Sequence, residues 1–203
     1  MQDFVRDPKP TLPILEKLRA DPELFVRKSV SNHLNDIAKD HPVFVIQTLR
    51  RWRKEVSEKD APKIDWTIHR ALRTLIKEGH PEALKLIGVT GKAEIRIHRF
   101  EVSPRHIRLG ERLHFDIEIR STAKRPQKLV VDYIVHFVKA NQSQAPKVFK
   151  LTAAELAAGG ALEIKKSHHF KKITTRTYYS GLHVLELQIN GAVVGKREWT
   201  LKV

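Results

Sequence analysis

The chain has 203 residues, 41% hydrophobic and 30% charged, the composition of a globular protein with room for one large or two small domains. With no cysteine it excludes disulfides, thiol nucleophiles and Cys-ligated zinc, so stability must come from packing. A net charge of +15 and a pI near 10.1 point to a polyanionic partner, nucleic acid first, with a merely solubilising surface as the alternative. Both parts share the excess: residues 1–92 hold 18 Lys and Arg against 13 Asp and Glu, and residues 93–203 hold 20 against 10. No window approaches the roughly 18 consecutive apolar residues of a membrane helix, and the opening Met-Gln-Asp-Phe lacks a secretory signal's basic-then-apolar order. The expectation is a cytoplasmic protein with no membrane partner.

From Pro8 to about Ile87 apolar residues recur at helical spacing, as in Val26, Val30, Leu34 and Ile37 and again in Ile68, Leu72, Leu75 and Ile76. Asp21-Pro22, His41-Pro42 and His80-Pro81 each put proline in a first helical turn, where its missing N–H is harmless. Helices are expected near 11–19, 22–39, 42–55, 65–78 and 81–87. A proline-led helix returns after about 40 residues behind a longer amphipathic one, the HEAT-like period of paired antiparallel helices. About two repeats fit within residues 1–92. Because such arrays usually need three or more units, this segment looks like the C-terminal end of a longer array.

The second helix carries an unusual run, Ser-Val-Ser-Asn-His-Leu-Asn-Asp-Ile-Ala-Lys-Asp-His-Pro over residues 29–42. Asn and Asp compete for backbone hydrogen bonds and are mediocre helix formers, so Asn32, Asn35 and Asp36 together ask for a role beyond helix stability. Lys28, Asn32, Asn35 and Lys39 share one side of this helix, while Arg70, Arg73 and Lys77 line the side of the fourth helix opposite Leu72 and Ile76. As neighbours in a repeat stack, these faces would make one basic concave surface for DNA phosphates; two ordinary solvated faces are the alternative. Asp36, two residues from Leu34, points about 200° from the core stripe. On residues alone it is either a groove carboxylate or a solvated one beside Lys39. Asp40 reads as an N-cap for the next helix.

Arg50, Arg51, Arg53 and Lys54 circle the third helix and cannot all face one ligand. Trp52, in register with Val45 and Leu49, reads as core. Trp66, opening the fourth helix, either packs between repeats or edges onto a deoxyribose.

After Gly91 the period changes to two. Strands are expected around 95–100, 113–119, 129–138, 148–151, 162–164, 184–189 and 193–201, with Asn190-Gly191 as a type I′ hairpin turn. Ala153 to Gly160 reads as a short helical connection. Seven strands in about 110 residues suggest an immunoglobulin-like sandwich over residues 93–203, on count and alternation alone. His168 and His169 are adjacent on a strand and point to opposite faces, so no metal and no cofactor is expected. Lys165, Lys166, Lys171, Lys172 and Arg176 form a basic strip that grips a duplex or blunts an edge strand.

Phe-Val-Arg-Lys-Ser-Val-Ser-Asn-His-Leu-Asn-Asp-Ile-Ala-Lys-Asp-His-Pro, then Leu-Arg-Arg-Trp and later WTIHRALRTLIKEG at 66–79, resembles the bacterial HEAT-like-repeat alkylpurine DNA glycosylases of the AlkC branch. The resemblance runs through residues 4–90, and some members carry an immunoglobulin-like domain behind the repeats. It implies removal of cationic N-methylated purines, 3-methyladenine in type, from alkylated duplex DNA by hydrolysis of the N-glycosidic bond. It also implies that Asp36, at the acidic position of Asn-Asp-Ile-Ala-Lys-Asp, is the catalytic carboxylate that stabilises the sugar cation. The family's earlier repeats, with further acidic residues, have no counterpart here.

The fold expected is therefore α + β and multidomain: HEAT-like helical repeats over 1–92, then an immunoglobulin-like sandwich over 93–203. The function expected is DNA binding in alkylation repair. The alternatives are a non-catalytic repeat-plus-sandwich module that binds DNA or a protein partner, and an RNA-binding scaffold with the same electrostatics.

Overall fold

The computed structural model describes residues 2–203, which divide into two compact units, 2–88 and 89–203. The first unit is helical: α1 (Gln2–Arg6), a 3₁₀ turn (Lys9–Thr11), α2 (Leu12–Leu18), α3 (Leu24–Asp40), α4 (Pro42–Glu55), α5 (Ala61–Ala71), α6 (Arg73–Lys77) and α7 (Pro81–Leu86). The apolar stripes read from the sequence close on one another, with Val30, Leu34, Val45, Leu49, Trp52, Ile64, Ile68 and Leu72 all at 2% exposure or less. Trp52 is core, as its register requires.

The pairing of helices repeats. Arg27 on α3 meets Trp66 on α5, and Asn35 on α3 meets Thr74 on α6, both 39 residues on, so α3 runs parallel to α5 and α6. A second layer places α4 between α2 and α7: Arg19 binds Glu55 at 3.0 Å, Arg51 binds Glu16, Arg50 binds Glu82, and Arg53 donates to the Leu86 carbonyl at 2.8 Å. The arginine run on α4 thus ties neighbouring helices together.

Local boundaries differ from the sequence reading in four places. Pro22 lies just before α3, because the Asp21 carboxylate accepts the Glu23 N–H at 2.8 Å and delays the helix to Leu24. Asp40 is the last residue of α3 rather than a cap; His41 holds the cap position without a side-chain hydrogen bond. The helix expected over 65–78 starts at Ala61 and breaks at Leu72 (φ −90°, ψ 5°), dividing into α5 and α6. Trp66 consequently sits in the middle of α5.

The second unit is a two-sheet β-sandwich: β1 (Ile95–Ser103), β2 (His106–Arg108), β3 (Arg112–Ser121), β4 (Gln127–Val138), β5 (Gln144–Leu156), β6 (Ala161–His169), β7 (Gly181–Ile189) and β8 (Ala192–Lys202). The sheets run β1-β3-β6 and β2-β8-β7-β4-β5. Asn190 (φ 48°) and Gly191 (φ 80°) make the β7–β8 turn, where positive φ at both positions is required. The eighth strand, β2, pairs parallel with β8 and buries Ile107; three residues are too few for alternation to announce it.

Ala153 to Gly160 is not helical. Ala153, Ala154, Glu155 and Leu156 pair with Val130, Leu129, Lys128 and Gln127 of β4, so β-ladder bonds and burial of Leu156 override the helix propensity of Ala and Leu.

His168 and His169 do point apart: the His168 Nδ1 lies 3.0 Å from the Tyr133 hydroxyl, and the His169 Nε2 lies 3.0 Å from the Gly110 carbonyl oxygen. The His168 ring packs among Phe149, Phe170 and Phe137, and Arg176 lies 3.7 Å over the Phe137 ring instead of joining the lysines of the strip. Burial, with help from the Arg176 charge, pushes the His168 imidazole down to about 4. An unfolded histidine near 6.5 therefore binds a proton that the folded one refuses, and stability falls as pH drops from about 6.5 towards 4. At pH 4.5 this group alone costs the fold about 2 kcal/mol relative to pH 7. Thermal melts at the two pH values should show a smaller acid loss in His168→Phe than in the parent; an equal loss would place the acid sensitivity elsewhere.

Candidate nucleic-acid interface

A helix of 17 residues presents distinct sides, and α3 uses each differently. Leu34 and Ala38 enter the core, at 0% and 1% exposure. Asp36, 66% exposed in its side chain, stands on the solvent side, and Lys39 lies one turn on with its Nζ at 2.7 Å from Oδ1. An exposed pair of this kind contributes no more than about 1 kcal/mol, so the carboxylate is held only loosely and stays available. Lys28 and Lys39 are exposed and Asn32 is half-buried, along the flank of α3 that leads towards α5 and α6.

Asn35 is a correction to the sequence reading: it is 2% exposed and takes no part in the exposed flank. Its Oδ1 accepts hydrogen bonds from the Thr74 N–H at 3.3 Å and the Thr74 hydroxyl at 3.0 Å. Thr74 is the second residue of α6, and the N–H groups of a first turn have no partner within their own helix. One asparagine from a neighbouring helix thus caps the helix that restarts after Leu72. The sequence run that looked like a single polar face divides into a capping residue and an exposed carboxylate.

Across from α3, Arg70 and Arg73 are half-buried and Lys77 is exposed. The guanidinium of Arg70 lies 5.6 Å from the centre of the Trp66 ring, and that of Arg27 lies 5.8 Å from the same ring. Arg73 donates to the Arg70 carbonyl at 2.8 Å. Burial and the Arg70 charge lower the proton affinity of Arg73, and the Asp36 charge partly restores it. Asp36 and Arg73 therefore act on one another across the α3–α6 contact. The structure brings together Asp36, Lys39, Arg70 and Arg73 on neighbouring helices. Trp66 packs between repeats, under two cations.

Sequence reasoning passed over Arg27, which stood within the quoted motif without an assigned role. The offset of 39 residues to Trp66 was the signal that could have found it.

The family model "Uncharacterised protein YhaZ, C-terminal Ig-like domain" matches residues 96–203, more than half of the chain. The chain belongs to the YhaZ family. Over 187 residues it is 41% identical to the protein YhaZ of Bacillus subtilis (strain 168), covering 92% of this chain and 50% of that one. Its whole length also superimposes on the Pseudomonas fluorescens alkylpurine DNA glycosylase AlkC, solved bound to DNA containing an abasic site analog, with a TM-score of 0.92 and 42% identity. That match covers 55% of the glycosylase. The chain thus spans about half the length of each relative, and it has the AlkC-like fold of helical repeats followed by an immunoglobulin-like domain.

The buried cap gives a direct test. Asn35→Ala should destabilise the helical unit by about 1–3 kcal/mol, since it leaves a part-buried N–H and hydroxyl of Thr74 without their acceptor. Denaturant unfolding followed by helical circular dichroism measures this, and a change below about 0.5 kcal/mol would mean that the α6 restart does not need the asparagine.

Proposed function

We propose that the chain binds alkylated duplex DNA in alkylation repair, and that its exposed carboxylate, Asp36, takes part in excision of cationic N-methylated purines of the 3-methyladenine type. The observation that supports this most is the full-length likeness to the DNA-bound AlkC structure at 42% identity. Local geometry supports the reading: Lys39 bonds Asp36, and the Asp36 charge reaches Arg73 next to Arg70, in a chain of net charge +15; Lys28, Asn32 and Lys77 complete the proposed DNA-binding face.

The chemistry suits one carboxylate. A purine that already carries positive charge departs as a neutral base and needs no general acid. The barrier is the charge that develops on the deoxyribose as the glycosidic bond breaks, and a fixed anion lowers it. At about 4 Å such a pair is worth about 1 kcal/mol in water and about 4 kcal/mol at an effective dielectric of 20. Asp36 is solvated in the free chain, so its effect depends on DNA covering the α3 face. A bound backbone would also compete for Lys39 and release the carboxylate.

Catalysis belongs to this reading only together with the half of the relatives that this chain does not span. The same fact favours a second reading, a non-catalytic module that holds DNA or a protein partner.

Two measurements test the proposal. Binding of the chain to duplex DNA should weaken with salt, with a log–log slope near −4 to −5 for about five neutralised phosphates, and with little sequence preference; salt-indifferent binding would remove the DNA assignment. In a chimera that supplies the other half of the Pseudomonas glycosylase, Asp36→Asn should keep fold and DNA affinity but lower release of 3-methyladenine by about 10²-fold or more. Release at the parent rate would make Asp36 a surface carboxylate and leave the binding module as the surviving reading.

A further inference from the structure

Most half-buried or interfacial arginines of this protein are matched by a carboxylate. Arg19, Arg50, Arg51 and Arg53 bind Glu55, Glu82, Glu16 and Asp65, and Arg99 binds Asp116. Three are not. Arg27 on α3 and Arg70 on α5 both lie against Trp66, Arg73 on α6 bonds the Arg70 carbonyl, and no carboxylate forms an ion pair with any of the three among the described residues. Their hydrogen bonds go to backbone carbonyls alone: Arg27 to Asp21 and Pro22, and Arg73 to Arg70. The Nε atoms of Arg27 and Arg70 are buried without an acceptor.

A cluster of this kind is costly without a counter-charge. Each guanidinium is permanently charged and offers several N–H donors in a rigid fork. The Trp66 ring face attracts two of them, yet a ring contributes only about 0.5–2 kcal/mol per cation and leaves the N–H donors unsatisfied. The Asp36 charge reaches Arg73, but this carboxylate is itself bonded to Lys39. Positive charge on three neighbouring arginines without ion-pair partners calls for an anion from outside, and tetrahedral phosphate oxygens match more than one fork at once.

We propose that Arg27 and Arg70 beside Trp66, with Arg73 next to Arg70, form a seat for a single phosphate group of a bound nucleic-acid backbone. The inference rests on the DNA reading above for the source of that phosphate, and goes beyond it by assigning Arg27 and by replacing a diffuse basic face with one site built across two repeats. The seat adjoins Asp36, so the phosphate held there fixes the strand next to the candidate carboxylate.

The test uses the whole chain and follows the arginine Nε–H NMR signals during titration with inorganic phosphate, with chloride and acetate at matched ionic strength as controls. Saturating shifts of the Arg27, Arg70 and Arg73 signals with phosphate, and none for the carboxylate-paired Arg51 and Arg99, are expected. Equal shifts with chloride or acetate, or shifts spread over all arginines, would overturn the seat; an acetate response as strong as that to phosphate would point to an acidic peptide. Arg27→Gln should then lower duplex DNA affinity roughly tenfold and flatten the salt slope by about 0.9, one phosphate contact. Arg73→Gln is the companion variant, since Arg73 bonds only a carbonyl three residues away. If DNA binds but neither variant changes the slope, the seat fails while the DNA reading stands. If phosphate shifts the three signals but no duplex binds, the DNA reading fails and the anion seat stands.

Discussion

The helical unit depends on the side-by-side register of α3 with α5 and α6, fixed at 39 residues by the Asn35 amide and Thr74. One buried oxygen takes up both the N–H and the hydroxyl of a residue in the first turn of α6. That turn needs an outside acceptor because the chain leaves helical geometry at Leu72, a residue that is fully buried and so anchors the break inside the core. The same register, eight residues earlier on both sides, sets Arg27 against Trp66. Packing, capping and the placement of charge in this unit are consequences of one alignment.

Electrostatics then divides the arginines by task. Those on α4 lie between helices that supply Glu16, Glu82 and Asp65, and they spend their donors within the protein. Arg27, Arg70 and Arg73 have only carbonyls and a ring. Lys39 with Asp36 is an exposed pair weak enough to exchange for a phosphate, whereas the α4 arginines join residues of different helices. The net charge alone cannot make this distinction, because it counts both groups alike.

The β-sandwich is built on a different interaction. Its interior joins the apolar rows of both sheets with a ring cluster of Tyr133, Phe137, Phe149, Phe170, Tyr178 and Trp199, into which His168 and His183 are set as neutral imidazoles. Arg176 covers this cluster through the Phe137 ring. Lys165 and Lys166 remain exposed on β6, an edge strand of its sheet, where charge blunts pairing with another chain.

By itself the sequence determined the change from helical to alternating period after Gly91, the one-sided helices and the Asn190-Gly191 hairpin, because each is written in residues close together in the chain. It also determined the core role of Trp52 and the exposure of Asp36, both of which follow from helical angle. Tertiary structure decided what those local rules could not reach. It made Ala153 to Leu156 a strand, since the β4 ladder outweighs propensity, and it formed β2 from three residues beside β8. It turned Asn35 inward, since helical angle gives a direction but not what stands there. It joined Arg27 to Trp66 and Arg70, since a contact spanning 39 residues exists only once two repeats have stacked, and no window of sequence shorter than the repeat contains both partners.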